Sequence, residues 1–210
     1  MRLVGRVRSA VYDALIVRMT ADWYRAVLGR LPTGCRLLDV GIGTGAALIA
    51  NADLLVEKDV RVVGVDVDAA YVERCRHALI DHGLDERASV RVESIDAHEG
   101  GPYDAVYFSG SFMLLPDPAG TLRHVRSLVV PGGSVYFTQT FEHRRSRVAE
   151  LVKPLLRPLT GIDFGRVTYE PAFRATLDAA RFQLIAMETL HPGSHRSAIL
   201  AIARPEPAAC

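Results

Sequence analysis

An acidic residue two positions ahead of a triple-glycine turn is the part of this sequence best equipped for chemistry. Leu37-Leu38-Asp39-Val40 reads as an apolar strand, and Gly41-Ile42-Gly43-Thr44-Gly45 as the turn that ends it. Glycine lets the backbone adopt left-handed conformations and approach a ligand closely. A tight turn needs one glycine, so three in five residues mark a cradle. Ala46-Ala47-Leu48-Ile49-Ala50 then reads as a helix whose first N–H groups face the same place. Asp39 gives that place a negative charge, which suits a ligand carrying an ammonium group.

Two cofactor classes use such a cradle. Gly41-Ile42-Gly43-Thr44-Gly45-Ala46 satisfies the dinucleotide pattern G-x-G-x-x-G/A. A dinucleotide strand usually has an apolar residue where Asp39 stands, because the dinucleotide has no ammonium to attract. S-adenosylmethionine (SAM) has one. Asp66 closes the next apolar run, Arg61 to Asp66, with Val67 after it. A ribose needs an acceptor for its two hydroxyls at such a strand end, and both cofactor classes share that need. Asp96-Ala97 follows the third run, Ala88 to Val92, and Ser109-Gly110-Ser111-Phe112 follows the fourth, Tyr103 to Ser109. Ligands in open α/β sheets bind beyond these carboxyl ends.

The elements that must position these residues are legible as periodicity. Residues 7–30 read as helical, with Tyr12, Leu15, Ile16, Met19 and Trp23 on one face and Thr20 a candidate cap for a second helix. Trp23 reads as core, and Tyr12 as a lid residue over the cofactor. The first strand spans Cys35 to Val40, and a helix follows from about Thr44 to Leu55. Asp68 caps a helix over Ala69 to His82, which buries Val72, Cys75 and Leu79 and stops at Gly83. His98 reads as a surface residue. Leu122, Val125, Leu128 and Val129 mark another helix, and Pro131-Gly132-Gly133 turns into a fifth strand, Ser134 to Thr140. Pro154 and Pro158 break the pattern between residues 141 and 168. Thr168 should cap a helix reaching about Ala180, before two strands, Phe182 to Leu190 and Ser197 to Ala203.

Taken together, Asp39 with Gly41/Gly43/Gly45, then Asp66, Asp96 and Pro131-Gly132-Gly133, resemble the class I SAM-dependent methyltransferases over roughly residues 35 to 204. The resemblance implies an α/β fold, a Rossmann-like doubly wound seven-stranded sheet of order 3-2-1-4-5-7-6 with strand 7 antiparallel. It implies SAM as cofactor and S-adenosylhomocysteine as product. The cofactor would be held by Asp39, Gly41, Gly43, Gly45, Asp66, Val67, Asp96, Ala97 and Ser109, under Tyr12. Asp104 matches a position that is structural in the family. The whole chain, 1–210, is expected to be one domain, with 1–34 an N-terminal helical lid and 141–168 an insertion.

Absent motifs narrow the chemistry. The Asn/Asp-Pro-Pro-Tyr box of nucleic-acid amino-methylating enzymes is replaced by Ser109-Gly110-Ser111-Phe112. The Asp-Asn metal pair of catechol-type enzymes is missing, so no metal is expected. The expectation is metal-independent, in-line methyl transfer to an N, O or S atom of a small molecule. If the acceptor must lose a proton, Glu142, His143, His191 and His195 are the candidate bases. Pro192 and Gly193 rule out a helical metal pair from the last two. Competing readings are an NAD-dependent oxidoreductase, an inactive SAM-binding protein, and a nucleic-acid or protein methyltransferase.

Composition agrees. The chain has 210 residues, enough for one core. The net charge of +1 gives no electrostatic case for nucleic acid. No apolar run approaches bilayer length. Cys35, Cys75 and Cys210 lack metal spacing, and the cytoplasm is the expected compartment. The Arg-rich start reads better as a lid than as a targeting segment. Residues 1–34 carry six Arg against two Asp, and residues 141–168 six basic against three acidic residues, over an otherwise acidic chain. That distribution favours an anionic acceptor.

Overall fold

The computed structural model describes residues 18–143 and 168–207. Its seven strands form one sheet in the order β3-β2-β1-β4-β5-β7-β6. They are β1 (Arg36–Val40), β2 (Arg61–Asp66), β3 (Ala88–Val92), β4 (Tyr103–Ser109), β5 (Val129–Glu142), β6 (Phe182–His191) and β7 (Arg196–Pro205). β7 runs antiparallel to β5 and β6, and the other neighbours are parallel. This is the expected order. β1 is buried from Leu37 onward, as its unbroken apolar run requires of a strand covered on both faces.

Two helical layers bury the sheet. On one face lie α1 (residues 18–28), α2 (Ala46–Ile49), α3 (Ala52–Glu57) and α4 (Ala69–Asp81), which seat Tyr24, Leu48, Leu55 and Cys75 against Leu37, Val62 and Tyr107. On the other lie α5 (Pro118–Leu128) and α6 (Glu170–Ala179), which seat Leu122, Val125, Phe173 and Leu177 against Leu38, Val106, Phe108 and Phe137. Each buried side chain of this size contributes roughly 1.5–3 kcal/mol of transfer free energy. α4 starts and stops where local chemistry dictates. Asp68 accepts from the N–H groups of Ala70 and Tyr71, and Gly83 leaves the helix in a left-handed conformation.

Several expectations are corrected. The helix from Thr44 to Leu55 is two helices, broken at buried Asn51. The Asn51 side-chain amide donates to Ala47 O (2.9 Å) and Ala21 O (3.0 Å), tying the end of α2 to α1. α1 runs through Thr20 and Ala21 unbroken. Met19 is 37% exposed, and the buried face passes instead through Trp23, Tyr24, Val27 and Leu28. Thr168 caps nothing: α6 begins at Glu170, and the Thr168 carbonyl accepts from Glu142 N, in line with its bridge to Phe141. β5 begins at Val129, not Ser134. Val129 pairs with Tyr103, and the register shift that follows absorbs Pro131-Gly132-Gly133. Asp104 is structural as expected, accepting from Arg36 N at 2.8 Å.

His98 is not a surface residue. It is fully buried, with Nδ1 2.8 Å from Glu93 Oε1 and Nε2 2.8 Å from the Tyr103 hydroxyl. The partners come from opposite ends of the segment linking β3 to β4, so the imidazole cross-links it.

Candidate functional site

The carboxyl ends of β1, β2 and β4 meet where the chain reverses its winding between β1 and β4. Asp39 stands there, on β1, and is fully buried. The Tyr24 hydroxyl, brought across by α1, donates to Asp39 Oδ2 at 2.7 Å. Asp39 Oδ1 is buried with no partner. Burial pushes the Asp39 carboxyl up to about 7. The Tyr24 hydrogen bond opposes that shift, and the nearby Asp66 charge adds to it. Such an oxygen costs about 1–3 kcal/mol to leave unpaired. An ammonium group is its natural complement.

The three glycines do different work. Gly41, at φ 76°, lets β1 turn beneath Ser111: a Cβ there would lie 2.6 Å from Ser111 Cβ. The Ser111 hydroxyl in turn donates to Val40 O, closing the loop after β4 against the cradle. Gly45, at φ 70°, makes room for α4, since a Cβ there would lie 2.5 Å from Cys75 Sγ. Only Gly43, at φ 60°, faces open space. It is the glycine of the three at which a ligand can approach the backbone.

Asp66 organises the turn. Its Oδ2 accepts from Gly43 N and its Oδ1 from Asp68 N, both at 2.9 Å. An ionised carboxylate has about four lone-pair sites, so two bonds leave capacity for ribose hydroxyls. Val67, next in the chain, is 75% exposed. An apolar side chain held in water beside this carboxylate offers a flat ring a surface to cover. Asp96 and Ala97 lie in a 3-10 turn after β3, and the Thr121 hydroxyl donates to Asp96 Oδ1 at 2.6 Å. Ser109 hydrogen-bonds the buried Tyr107 hydroxyl, which Thr138 also contacts at 2.7 Å. Tyr12 lies outside the described residues.

Sequence reasoning missed Tyr24 and Thr121, and reached Ser111 only as part of the segment after the fourth strand. Tyr24 does follow Trp23 on the apolar stripe of α1, but a stripe does not say which hydroxyl finds a carboxylate.

The four candidate bases divide. Glu142 and His143 line a cavity of about 580 Å³ over β5, β6, β7 and the start of α6. His143 Nε2 lies 2.9 Å from Ser197 Oγ. His191 instead approaches Asp22 at 3.9 Å, and His195 contributes its carbonyl to His143 N. Among the described residues no cluster of three His, Cys, Asp or Glu is arranged to hold a metal, and no helix is long and apolar enough to cross a membrane. Cys35 and Cys75 are free, and burial pushes both thiols up to about 12.

Residues 38–135, which span the cradle and β1 to β5, match a family model described as a methyltransferase domain. Aklanonic acid methyltransferase DauC of Streptomyces sp. (strain C5) is 29% identical over 136 residues, covering 62% of this chain and 60% of DauC. The ubiquinone biosynthesis O-methyltransferase of Bordetella avium (strain 197N) is 30% identical over 118 residues, covering 56% of this chain and 47% of that enzyme. The chain thus spans about half to three-fifths of the length of these relatives. Among solved structures, the [4+2]-cyclase SpnF superposes with a TM-score of 0.72 at 16% identity, covering 88% of this chain and 81% of that one. A cyclase on the same fold is a reminder that fold does not set the reaction.

Proposed function

We propose that this chain, whose residues 38–135 match a methyltransferase domain, is a class I SAM-dependent methyltransferase that transfers a methyl group from SAM to a small-molecule acceptor. The observation that carries the reading is Asp39 Oδ1, a buried carboxylate oxygen with no protein partner, on the strand that leads into the glycine turn. SAM supplies an electrophilic methyl on a sulfonium, and its methionine ammonium matches that oxygen. Asp66 would hold the ribose, Val67 and Ala97 the adenine faces, Asp96 the adenine amino group, and Gly43 the close backbone approach. The NAD reading has no use for a buried acid at position 39.

The chain's own contribution is mostly positioning. Aligning the acceptor with the methyl, at about 3–3.5 Å, supplies effective concentration. Ser109 to Phe112 border the methyl end and exclude water. His143, oriented by Ser197, is the side chain best placed to take a proton from an acceptor that must lose one. We read residues 1–210 as one catalytic domain and expect no divalent metal to be required. Two buried free thiols suit a reducing cytoplasm. The charge balance of residues 1–34 and 141–168 supports an acceptor with an anionic group, bound by Arg144, Arg145 and Arg147, which lie outside the described residues.

Thermal unfolding with S-adenosylhomocysteine and with NAD tests the cofactor. At 100 times its dissociation constant the correct ligand adds roughly 2.7 kcal/mol. A shift with NAD alone would overturn the reading. Labelled SAM with a metabolite panel then tests transfer, and a bound cofactor with no transfer across the panel would favour an inactive binding protein.

A further inference from the structure

Three hydroxyls meet where β4 and β5 run side by side. The Tyr107 hydroxyl lies 2.7 Å from Thr138 Oγ1 and also hydrogen-bonds the Ser109 side chain. Edge-on packing against Tyr24, with ring centroids 4.9 Å apart, fixes the Tyr107 ring. A phenol has one proton, so it accepts from one neighbour and donates to the other. Thr138 is fully buried, and among the described residues Tyr107 is the partner found for its hydroxyl. Thr138 therefore donates to Tyr107, and Tyr107 donates to Ser109. The Ser109 proton is left to point away from the trio, and Ser109 is half-buried, so a ligand can reach it. Hydroxyls linked in this way polarise one another and strengthen the last donor.

The register ties that donor to the glycine turn. Asp39 pairs with Tyr107 and Val40 with Phe108, so Ser109 stands level with Gly41. Alternation puts Asp39, Tyr107 and Ser109 on one face, where Tyr24 of α1 reaches both Asp39 and Tyr107. Strand spacing and a rise of two residues separate Ser109 from Asp39 by roughly 8 Å. An unpaired acceptor, Asp39 Oδ1, thus shares a face with an outward donor. The indole N–H of Trp23 is also buried without a partner. Its ring turns the benzo edge to Gly110, where a Cβ would lie 3.7 Å from Cζ3, so the N–H is on the far side.

Resting on the methyl-transfer reading, we propose that the Ser109 hydroxyl donates to the carboxylate of the cofactor's methionine portion while Asp39 accepts from its ammonium. The two groups sit on one carbon, and with a hydrogen bond of about 2.8 Å on each side they fill a gap of this size. Asp39 and Asp66 repel a carboxylate, so it needs a donor here. Tyr107 and Thr138 are positioning residues, which act by aiming the Ser109 proton.

Calorimetry with S-adenosylhomocysteine and its decarboxylated analogue tests this, since the pair differ only in the carboxylate. The native chain should bind S-adenosylhomocysteine about tenfold more tightly, as one charge-assisted hydrogen bond gives. Ser109→Ala should abolish that preference and leave the analogue's affinity unchanged. Ser109→Thr, which keeps the hydroxyl, should retain the preference, and Tyr107→Phe should reduce it. Asp39→Asn should weaken both ligands alike, because both carry the amine. No preference in the native chain, a preference that survives Ser109→Ala, or equal weakening of both ligands in that variant would overturn the proposal. If the native chain binds neither ligand, the cofactor reading itself falls, and this proposal with it.

Discussion

Tyr24 donates its hydroxyl to Asp39 Oδ2 at 2.7 Å, while Asp39 Oδ1, on the same buried carboxylate, has no protein partner. One oxygen is thus satisfied by the fold, and the other is unpaired. Tyr24→Phe removes the first bond without changing the ring. It should destabilise the chain by about 1–3 kcal/mol, because Oδ2 then also lacks a partner. It should weaken S-adenosylhomocysteine binding too, since the carboxylate is less well oriented. Urea unfolding with and without ligand measures both, and unchanged midpoints would show that the contact carries no energy.

The same carboxylate predicts a pH dependence. Its pKa in the fold is raised to about 7, chiefly by burial, against about 3.9 in an unfolded chain. The folded state therefore holds this proton more tightly. The group costs nothing below about pH 4, and its contribution becomes unfavourable as pH rises, until the loss is complete above about 7. A bound ammonium reverses the preference and favours the carboxylate. Cofactor binding should then release a proton near pH 6, with affinity rising up to about tenfold per pH unit and levelling above 7. Calorimetry in buffers of different ionisation enthalpy reads the released proton. A flat affinity from pH 5.5 to 8 would remove Asp39 from the ammonium site.

Gly43 and Gly45 separate ligand approach from packing. Both have positive φ, so alanine costs roughly 1–2 kcal/mol at either. At Gly45 the new methyl also meets Cys75 Sγ at 2.5 Å, whereas at Gly43 it meets open space. Gly45→Ala should be the less stable variant, and Cys75→Ala should recover part of its loss. Gly43→Ala should keep more of its stability and lose more of its affinity. Equal losses of both properties in the two variants would refute this division.

The strands were legible because they are short apolar runs cut off by Gly, Pro and Asp: β2, β3 and β4 fall where those runs begin and end. The acids Asp39, Asp66 and Asp96 were legible for the same reason, as they lie near the ends of such runs: Asp39 one residue before the end of β1, Asp66 at the end of β2 and Asp96 four residues beyond β3. What the sequence hid are contacts that join distant elements. Asn51 breaks a helical run because its side chain reaches a carbonyl of α1. Gly45 looked like a ligand-facing glycine, yet its neighbour is a thiol thirty residues on. Gln139 sits in an alternating strand as an ordinary polar residue, and only the register shows that aromatic rings surround it.

His98 is the clearest of these hidden contacts and supports the last prediction. Its two ring nitrogens join Glu93 to Tyr103, and its carbonyl accepts from His124 Nε2 at 2.9 Å. Gly100 packs so closely that a Cβ there would strike the imidazole. The segment held in this way includes Asp96 and Ala97, the residues proposed to hold the adenine. His98→Ala leaves Glu93 and Tyr103 without this partner and opens a cavity, so a loss of about 2–5 kcal/mol is expected. Its effect on binding should follow the adenine. Adenosine and S-adenosylhomocysteine should weaken by the same factor in His98→Ala. Asp39→Asn should weaken S-adenosylhomocysteine alone, because adenosine has no ammonium. Adenosine affinity that is untouched in His98→Ala would mean that the cross-link supports the fold without positioning the site.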